Sequence, residues 1–239
     1  MIMPLIRKKF DPNHAYSSHW GTILAADVVP EGFKAPFSHA YGYLLETGKT
    51  MGGHAHAFEE IYIVLSGSGY VIQGGNNKAV KAGDVITVPA NIWHTMLCTD
   101  KDEAPFLWAA LWWDSAEGLE STWKPEDGIC VRRFDKETAI PAHEGSILAA
   151  PVLPEVSKAP FGDSYGYLTP GKGMCPDCHP AEEMYVVFNG TGTMTVDGET
   201  EKIGPGDVIA IPSNATHTIA ADSDSDLLYA AFWWESIPD

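Results

Sequence analysis

The chain has 239 residues, 32 acidic against 15 basic, for a formal net charge of −17. That balance argues against nucleic acid, whose phosphates need a basic face, and against an anionic membrane surface. Hydrophobic residues at 45% and aromatics at 11% supply a core, while Gly 23 and Pro 17 cut the chain into short strands rather than long helices.

In chain order, Met1 to Phe10 has too short an apolar stretch for a signal peptide, with its charges on the wrong side. No apolar run reaches the length of a spanning helix, and the expectation is a cytoplasmic protein. Short β-branched segments follow: Ile61-Tyr-Ile-Val-Leu, Tyr70-Val-Ile, Val85-Ile-Thr-Val, and Leu107 to Trp113. Turns such as Gly67-Ser-Gly, Gly74-Gly-Asn-Asn and Lys81-Ala-Gly-Asp separate them. Strands so punctuated predict an all-β sandwich or barrel. Helical periodicity is absent except in Ser115 to Trp123, where a short helix is expected.

The chain is written twice. His19-Trp-Gly-Thr-Ile-Leu-Ala-Ala recurs as His143-Glu-Gly-Ser-Ile-Leu-Ala-Ala, and Tyr41-Gly-Tyr-Leu as Tyr165-Gly-Tyr-Leu. Glu59-Glu-Ile-Tyr-Ile-Val-Leu-Ser-Gly pairs with Glu182-Glu-Met-Tyr-Val-Val-Phe-Asn-Gly, and Gly83-Asp-Val-Ile-Thr-Val-Pro with Gly206-Asp-Val-Ile-Ala-Ile-Pro. Ordered matches at near-constant displacement define two tandem copies of one domain. The expected boundaries are 1–114 and 130–239, with the polar stretch 115–129 as linker. Both copies open alike, with Ile6-Arg-Lys-Lys-Phe-Asp and Val131-Arg-Arg-Phe-Asp.

Four residues of the first copy carry metal-binding chemistry. On a strand, His54 and His56 face one side; Glu60 opens the next apolar run, and His94 follows the strand after Gly83-Asp84. Three imidazoles and a carboxylate converging from neighbouring strands suit Mn, Fe, Co, Ni or Zn and leave coordination positions open. Apolar residues would fill a small barrel at less cost.

These residues resemble the cupin superfamily in its bicupin form, two tandem jelly-roll β-barrels. The first cupin motif is met by Gly48, His54, His56, Glu60 and Gly67, and the second by Gly83, Pro89 and His94. Asn91 stands where the family has glycine, and Cys98 where it often has asparagine; neither change removes a ligand. The resemblance implies fold and metal, whereas cupin reactions range from dioxygenases and decarboxylases to lyases, isomerases, hydrolases and non-enzymes.

In the second copy Asp177, His179, Glu183 and His217 occupy the ligand positions, so Asp177 replaces the first histidine. A divalent ion with one carboxylate leaves a local charge of +1, and with two carboxylates 0. An anionic substrate is therefore expected at the first site, and a harder ion at the second if that copy is not kept for structure alone. Cys175-Pro-Asp-Cys178-His179 matches haem-attachment and redox-dithiol patterns; Cys175 as a pocket residue fits better, because His179 already has a ligand role. The four cysteines in all do not form a disulfide framework.

Tyr62 and Tyr185 each follow the ligand glutamate by two residues, which places a phenol beside the metal with a pKa expected to fall towards base duty. The segment around Tyr185 resembles the cupin lyases acting on dimethylsulfoniopropionate, in which the matching tyrosine removes a proton. Trp108, Trp112, Trp113, Trp233 and Trp234 are expected to pack a domain or subunit interface; Trp93, beside His94, is expected to shape the first pocket. The functional expectation is a metal-dependent enzyme acting on a small anionic substrate with Tyr62 or Glu60 as proton acceptor. A lyase, isomerase or hydrolase is favoured, with an oxygen-dependent dioxygenase or decarboxylase, or a binding module without turnover, as alternatives. Homo-oligomerisation is compatible with the sequence.

Overall fold

The computed structural model describes residues 5–44, 48–99, 105–114 and 128–237. The helix expected at Ser115 to Trp123 lies outside the described residues. The first copy supplies β1 (Ile6–Lys8), β2 (Tyr16–Ser18), β3 (Ile23–Ala26), β4 (Ser38–Leu44), β5 (Glu59–Ser66), β6 (Ser68–Gln73), β7 (Asn76–Lys81), β8 (Asp84–Val88), β9 (Thr95–Cys98) and β10 (Phe106–Trp113). The second supplies β11 (Cys130–Arg133), β12 (Ile140–Ala142), β13 (Ile147–Ala150), β14 (Gly162–Leu168), β15 (Ala181–Asn189), β16 (Gly192–Val196), β17 (Glu199–Ile203), β18 (Val208–Ile211), β19 (His217–Ala221) and β20 (Leu227–Glu235).

Each barrel pairs a seven-stranded antiparallel sheet with a three-stranded one. The large sheets run β11-β8-β5-β10-β4-β3-β2 and β1-β18-β15-β20-β14-β13-β12, and the small ones β7-β6-β9 and β17-β16-β19. The all-β, two-barrel expectation is met. The edges hold a feature the repeat did not announce: the copies exchange their opening strands. β1 pairs with β18 of the second copy, Ile6 opposite Ala210, while β11 pairs with β8 of the first, Cys130 opposite Thr87. Each exchanged strand covers an edge that would otherwise be open. Arg133 fastens the exchange with a bidentate pair to the buried Asp84, at 2.5 and 2.7 Å. Leu5 and Ile129, just before the exchanged strands, are buried in the cores of the opposite barrels.

The central strands are buried on both faces, so their run is continuously apolar rather than alternating. Along β5, Ile61, Ile63 and Leu65 face a core shared by both copies, with Phe161, Phe232 and Trp234. Tyr62 and Val64 face the first barrel's interior with Ile86, Met96 and Trp108.

The same alternation corrects the tryptophan expectation. Trp113 and Trp234 do pack in the shared core. Trp112 and Trp233, one residue earlier, point the other way and line the barrel cavities. Trp108 is buried inside the first barrel, where Tyr229 is its counterpart. Asn91 and Asn214 both adopt φ 62, left-handed backbone that asparagine tolerates, which is why the family's glycine can be replaced here.

Candidate metal centres

Strand β5 aims Glu60 inward, and β9 begins directly after His94. His54 and His56 lie outside the named strands, contrary to the strand expectation. A single antiparallel bridge sets His54 opposite His94, with backbone hydrogen bonds of 3.1 and 2.9 Å. The outcome is the convergence expected: His54, His56, Glu60 and His94 each offer a donor atom within 4.8 Å of the others.

The imidazoles are prepared as ligands by a device the sequence did not reveal. Nδ1 of His54, His56 and His94 lies 3.2, 2.8 and 2.9 Å from the backbone oxygens of Gly52, Phe58 and Ile92. A carbonyl can only accept, so each Nδ1 carries a proton and donates it, leaving the Nε2 lone pair for the interior. Metal-binding histidines are characteristically oriented this way. The donor set therefore fits a divalent cation. Where a cation would draw His56 and Glu60 together, a proton does so, Nε2 to Oε2 at 2.9 Å.

The electrostatics follow. Burial alone would raise the Glu60 carboxyl, but hydrogen bonds from His56 and His94 outweigh it and hold the pKa at about 2. His56 moves up despite burial, through its hydrogen bond and charge attraction to Glu60. Tyr62, buried with its hydroxyl 2.8 Å from His94 Nε2, is pushed well above the phenol range by burial and then by Glu60. In the metal-free site this is opposite in direction to the fall expected beside a cation, because burial and then the Glu60 carboxylate favour the neutral phenol. Tyr62 holds its proton.

In the second barrel a bridge sets Asp177 opposite His217 as His54 is set opposite His94. Asp177, His179 and His217 offer donor atoms within 4.8 Å of one another. Glu183 Oε2 lies 3.3 and 3.2 Å from the Nε2 atoms of His179 and His217, yet does not join Asp177 in that compact group. The Nδ1 atoms again face carbonyls, of Ala181 and Ala215, at 3.2 and 3.1 Å. Buried His217 Nε2 has the Glu183 carboxylate 3.2 Å away but makes no well-aligned hydrogen bond, so its lone pair is available to a cation. Tyr185 turns its hydroxyl to the Met174 sulfur at 3.9 Å, and burial followed by the Glu183 charge pushes it well above the phenol range. Without a cation the direction is again opposite to the expected fall.

Each centre opens into a cavity, about 330 Å³ in the first barrel and 480 Å³ in the second. Neither cavity is lined by Cys175 or Cys178, so the pocket role expected of Cys175 is not met. All four cysteines are free. Trp93, expected to shape the first pocket, does not line the first cavity; Trp20 and Trp93 are exposed and pack over Gly52 and Gly53, where a Cβ would overlap either ring. Their counterparts in the second copy are Glu144 and Thr216. Two cavity residues escaped the sequence reading of sites, His19 and His143. They stood in the repeat itself but carried no motif spacing.

The first site also predicts a pH signature for metal-stripped protein. The depressed Glu60 contributes stability above its unfolded value of 4.5, lost as pH falls towards about 2. The raised His56 contributes stability below 6.5, lost as pH rises through its folded value. The difference in Tm between the native chain and Glu60→Gln should therefore be largest between about pH 4.5 and 6.5 and shrink on both sides. Thermal melts across pH check it, and a flat difference would contradict the ion pair.

Proteins of known structure share this fold. A curated relative, the 5-aminosalicylate 1,2-dioxygenase of Comamonas sp, is 31% identical over 116 residues, covering 48% of this chain. The match spans only 27% of that relative's length. Among solved structures, the cupin 2 conserved barrel domain protein of Leptotrichia buccalis superposes with TM-score 0.65 at 14% identity, covering 96% of this chain and 97% of its own. The oxalate decarboxylase of Lactobacillus farciminis, in a formate complex, gives 0.64 at 16% identity, with 99% and 88% covered. A salicylate 1,2-dioxygenase mutant of Pseudoaminobacter salicylatoxidans, in complex with gentisate, gives 0.66 at 16% identity, with 92% and 76% covered. These likenesses carry the fold, and the resemblance to dimethylsulfoniopropionate lyases gains nothing from them. The cupin domain family matches twice, at residues 43–110 and 165–234, and the chain belongs to that family as a bicupin.

Proposed function

We propose that the first barrel is a mononuclear metal centre at which a small carboxylate is converted, with oxygen-dependent cleavage or decarboxylation as the reaction class. The observation carrying this reading is the set of three imidazoles whose Nδ1 protons are committed to backbone oxygens, converging with Glu60 on one cavity. A bound divalent ion would supply Lewis acidity and open positions for an oxyanion. Glu60 is kept anionic and acts as a ligand rather than a base, while Tyr62 holds a proton beside His94. Trp108, Trp112 and Phe58 make the remaining wall apolar and limit access of water.

With one carboxylate the loaded first site has local charge +1; in the second, Asp177 in the donor group and Glu183 against His179 and His217 bring it to 0. An anionic substrate therefore selects the first. The dioxygenase and decarboxylase relatives favour oxygen-dependent chemistry over the lyase, isomerase or hydrolase expected from sequence. The small-molecule partner follows from cavity size, and the net charge of −17 still disfavours nucleic acid.

The test is metal analysis of purified protein followed by oxygen uptake with salicylate, gentisate and oxalate. Bound divalent ion with oxygen consumed on a carboxylate substrate is the expected result. Carbon dioxide from oxalate without net oxygen uptake would select decarboxylation. A protein that neither carries nor reloads a divalent ion overturns the reading.

A further inference from the structure

His19 and His143 begin a turn that the repeat preserves in backbone detail. His19, Trp20 and Gly21 have φ of 47, 58 and 83; His143, Glu144 and Gly145 have the same three values. Histidine visits this left-handed region more readily than most residues, but tryptophan and glutamate do so only under strain. Such conformations persist only where the surroundings over-determine them. Here they do. The Thr22 hydroxyl donates to His19 O at 2.7 Å and accepts the Gly52 N–H at 2.8 Å, two residues before ligand His54. The Ser146 hydroxyl repeats the strut, donating to His143 O at 2.6 Å and accepting the Cys175 N–H at 3.0 Å, two residues before Asp177. A hydroxyl thus ties each histidine turn to the segment that presents the ligands.

The middle residue has changed from aromatic to acidic between copies, and the ligand beneath has changed from His54 to Asp177, yet the histidine and its backbone remain. The His19 ring lies 4.9 Å from the His54 ring and lines the cavity. It differs from the ligands in one respect. Its Nδ1 faces the Ser18 hydroxyl at 3.2 Å rather than a carbonyl. With that hydroxyl donating, the ring proton sits on Nε2, which has no hydrogen-bond partner among the described residues. His19 also stands outside the compact donor group.

We propose that His19 is a substrate-binding residue of the first barrel, its Nε2–H donating to a carboxylate oxygen of the substrate, and that the left-handed turn exists to hold it there. This rests on the carboxylate reading of the site but not on the ion, since the donor belongs to the chain. In the second barrel His143 Nδ1 lies 3.5 Å from Asp177 Oδ2, so the corresponding ring is engaged by the residue that replaced His54. That leaves the first barrel as the one with the unengaged donor.

The experiment is calorimetric titration of benzoate into metal-loaded and metal-stripped protein, for the native chain, His19→Asn, His19→Gln and His94→Ala. Asparagine tolerates the left-handed backbone and keeps the turn, so His19→Asn removes the imidazole without forcing the strut apart. Loss of one hydrogen bond to a charged group predicts about tenfold weaker benzoate binding for His19→Asn in both states. His19→Gln, which keeps a donor of similar reach, should recover part of it. Metal content should match the native chain in both His19 variants and fall in His94→Ala. Unchanged benzoate affinity in His19→Asn overturns the proposal, as does loss of metal from His19→Asn equal to that from His94→Ala, which would make His19 a ligand. A native chain that takes up no ion overturns the metal reading alone, and the metal-stripped titrations then decide the role of His19.

Discussion

His94→Ala should lower the affinity of the first barrel for its ion by at least about 100-fold, since second-sphere partners alone are worth 10 to 100-fold, and should abolish turnover. His94 is fully buried and has three tasks in one side chain. Its Nδ1 is held by Ile92 O at 2.9 Å, its Nε2 completes the donor set, and the Tyr62 hydroxyl sits 2.8 Å away. Alanine would leave Glu60 with one imidazole where it now has two. The paired experiment is Asp177→Ala, which alters only the second barrel's set and should leave first-barrel metal and turnover close to native. Metal per chain and kcat for both variants, measured on protein whose melting is unchanged, decide the matter. Equal loss of activity in Asp177→Ala would place the chemistry in the second barrel and reverse the ranking by charge.

Phe161→Ala should be the most damaging truncation outside the sites. Phe161 belongs to the second copy but stacks edge-on against Phe37 and Trp113 of the first, at 5.2 and 5.0 Å, and against Phe232 at 5.8 Å. Losing a buried aromatic ring costs about 3–5 kcal/mol, a fall of about 10 °C in Tm for a chain of this size. Calorimetry checks it. Trp20→Ala, at a ring that is 80% exposed, should change stability by no more than about 0.5 kcal/mol. A Phe161→Ala loss as small as that would mean that the two barrels do not share a core.

The first ligand set was legible because its spacing is local: His54, His56 and Glu60 lie within seven residues, and His94 follows a recognisable turn. The second set was legible by register with the first, down to the substitution at Asp177. What spacing cannot convey is which atom of a side chain is committed elsewhere. The Nδ1-to-carbonyl bonds that make the imidazoles good ligands depend on where the backbone oxygens of Gly52, Phe58 and Ile92 are placed. The phenols of Tyr62 and Tyr185 were placed correctly by alternation, but spacing does not show that in the metal-free site burial and a neighbouring carboxylate both raise their proton affinity. Trp112 and Trp113 read as one aromatic pair, whereas the strand's period of two sends them to a cavity and to the shared core. His19 lay in plain view in the repeat, yet only the fold brings its turn over a ligand met 35 positions later.

The exchanged opening strands also set the order in which the molecule can be completed. β1 ends at Lys8, but its partner β18 begins only at Val208. Translation at roughly 5–20 residues per second leaves β1 without that partner for about 10–40 s. The first barrel likewise waits for β11 before its outer edge is covered. Neither half can close during its own synthesis. The hydrogen bonds between β1 and β18 therefore form late, and the growing chain must carry Ile6–Lys8 unpaired until the second barrel's β18 has emerged.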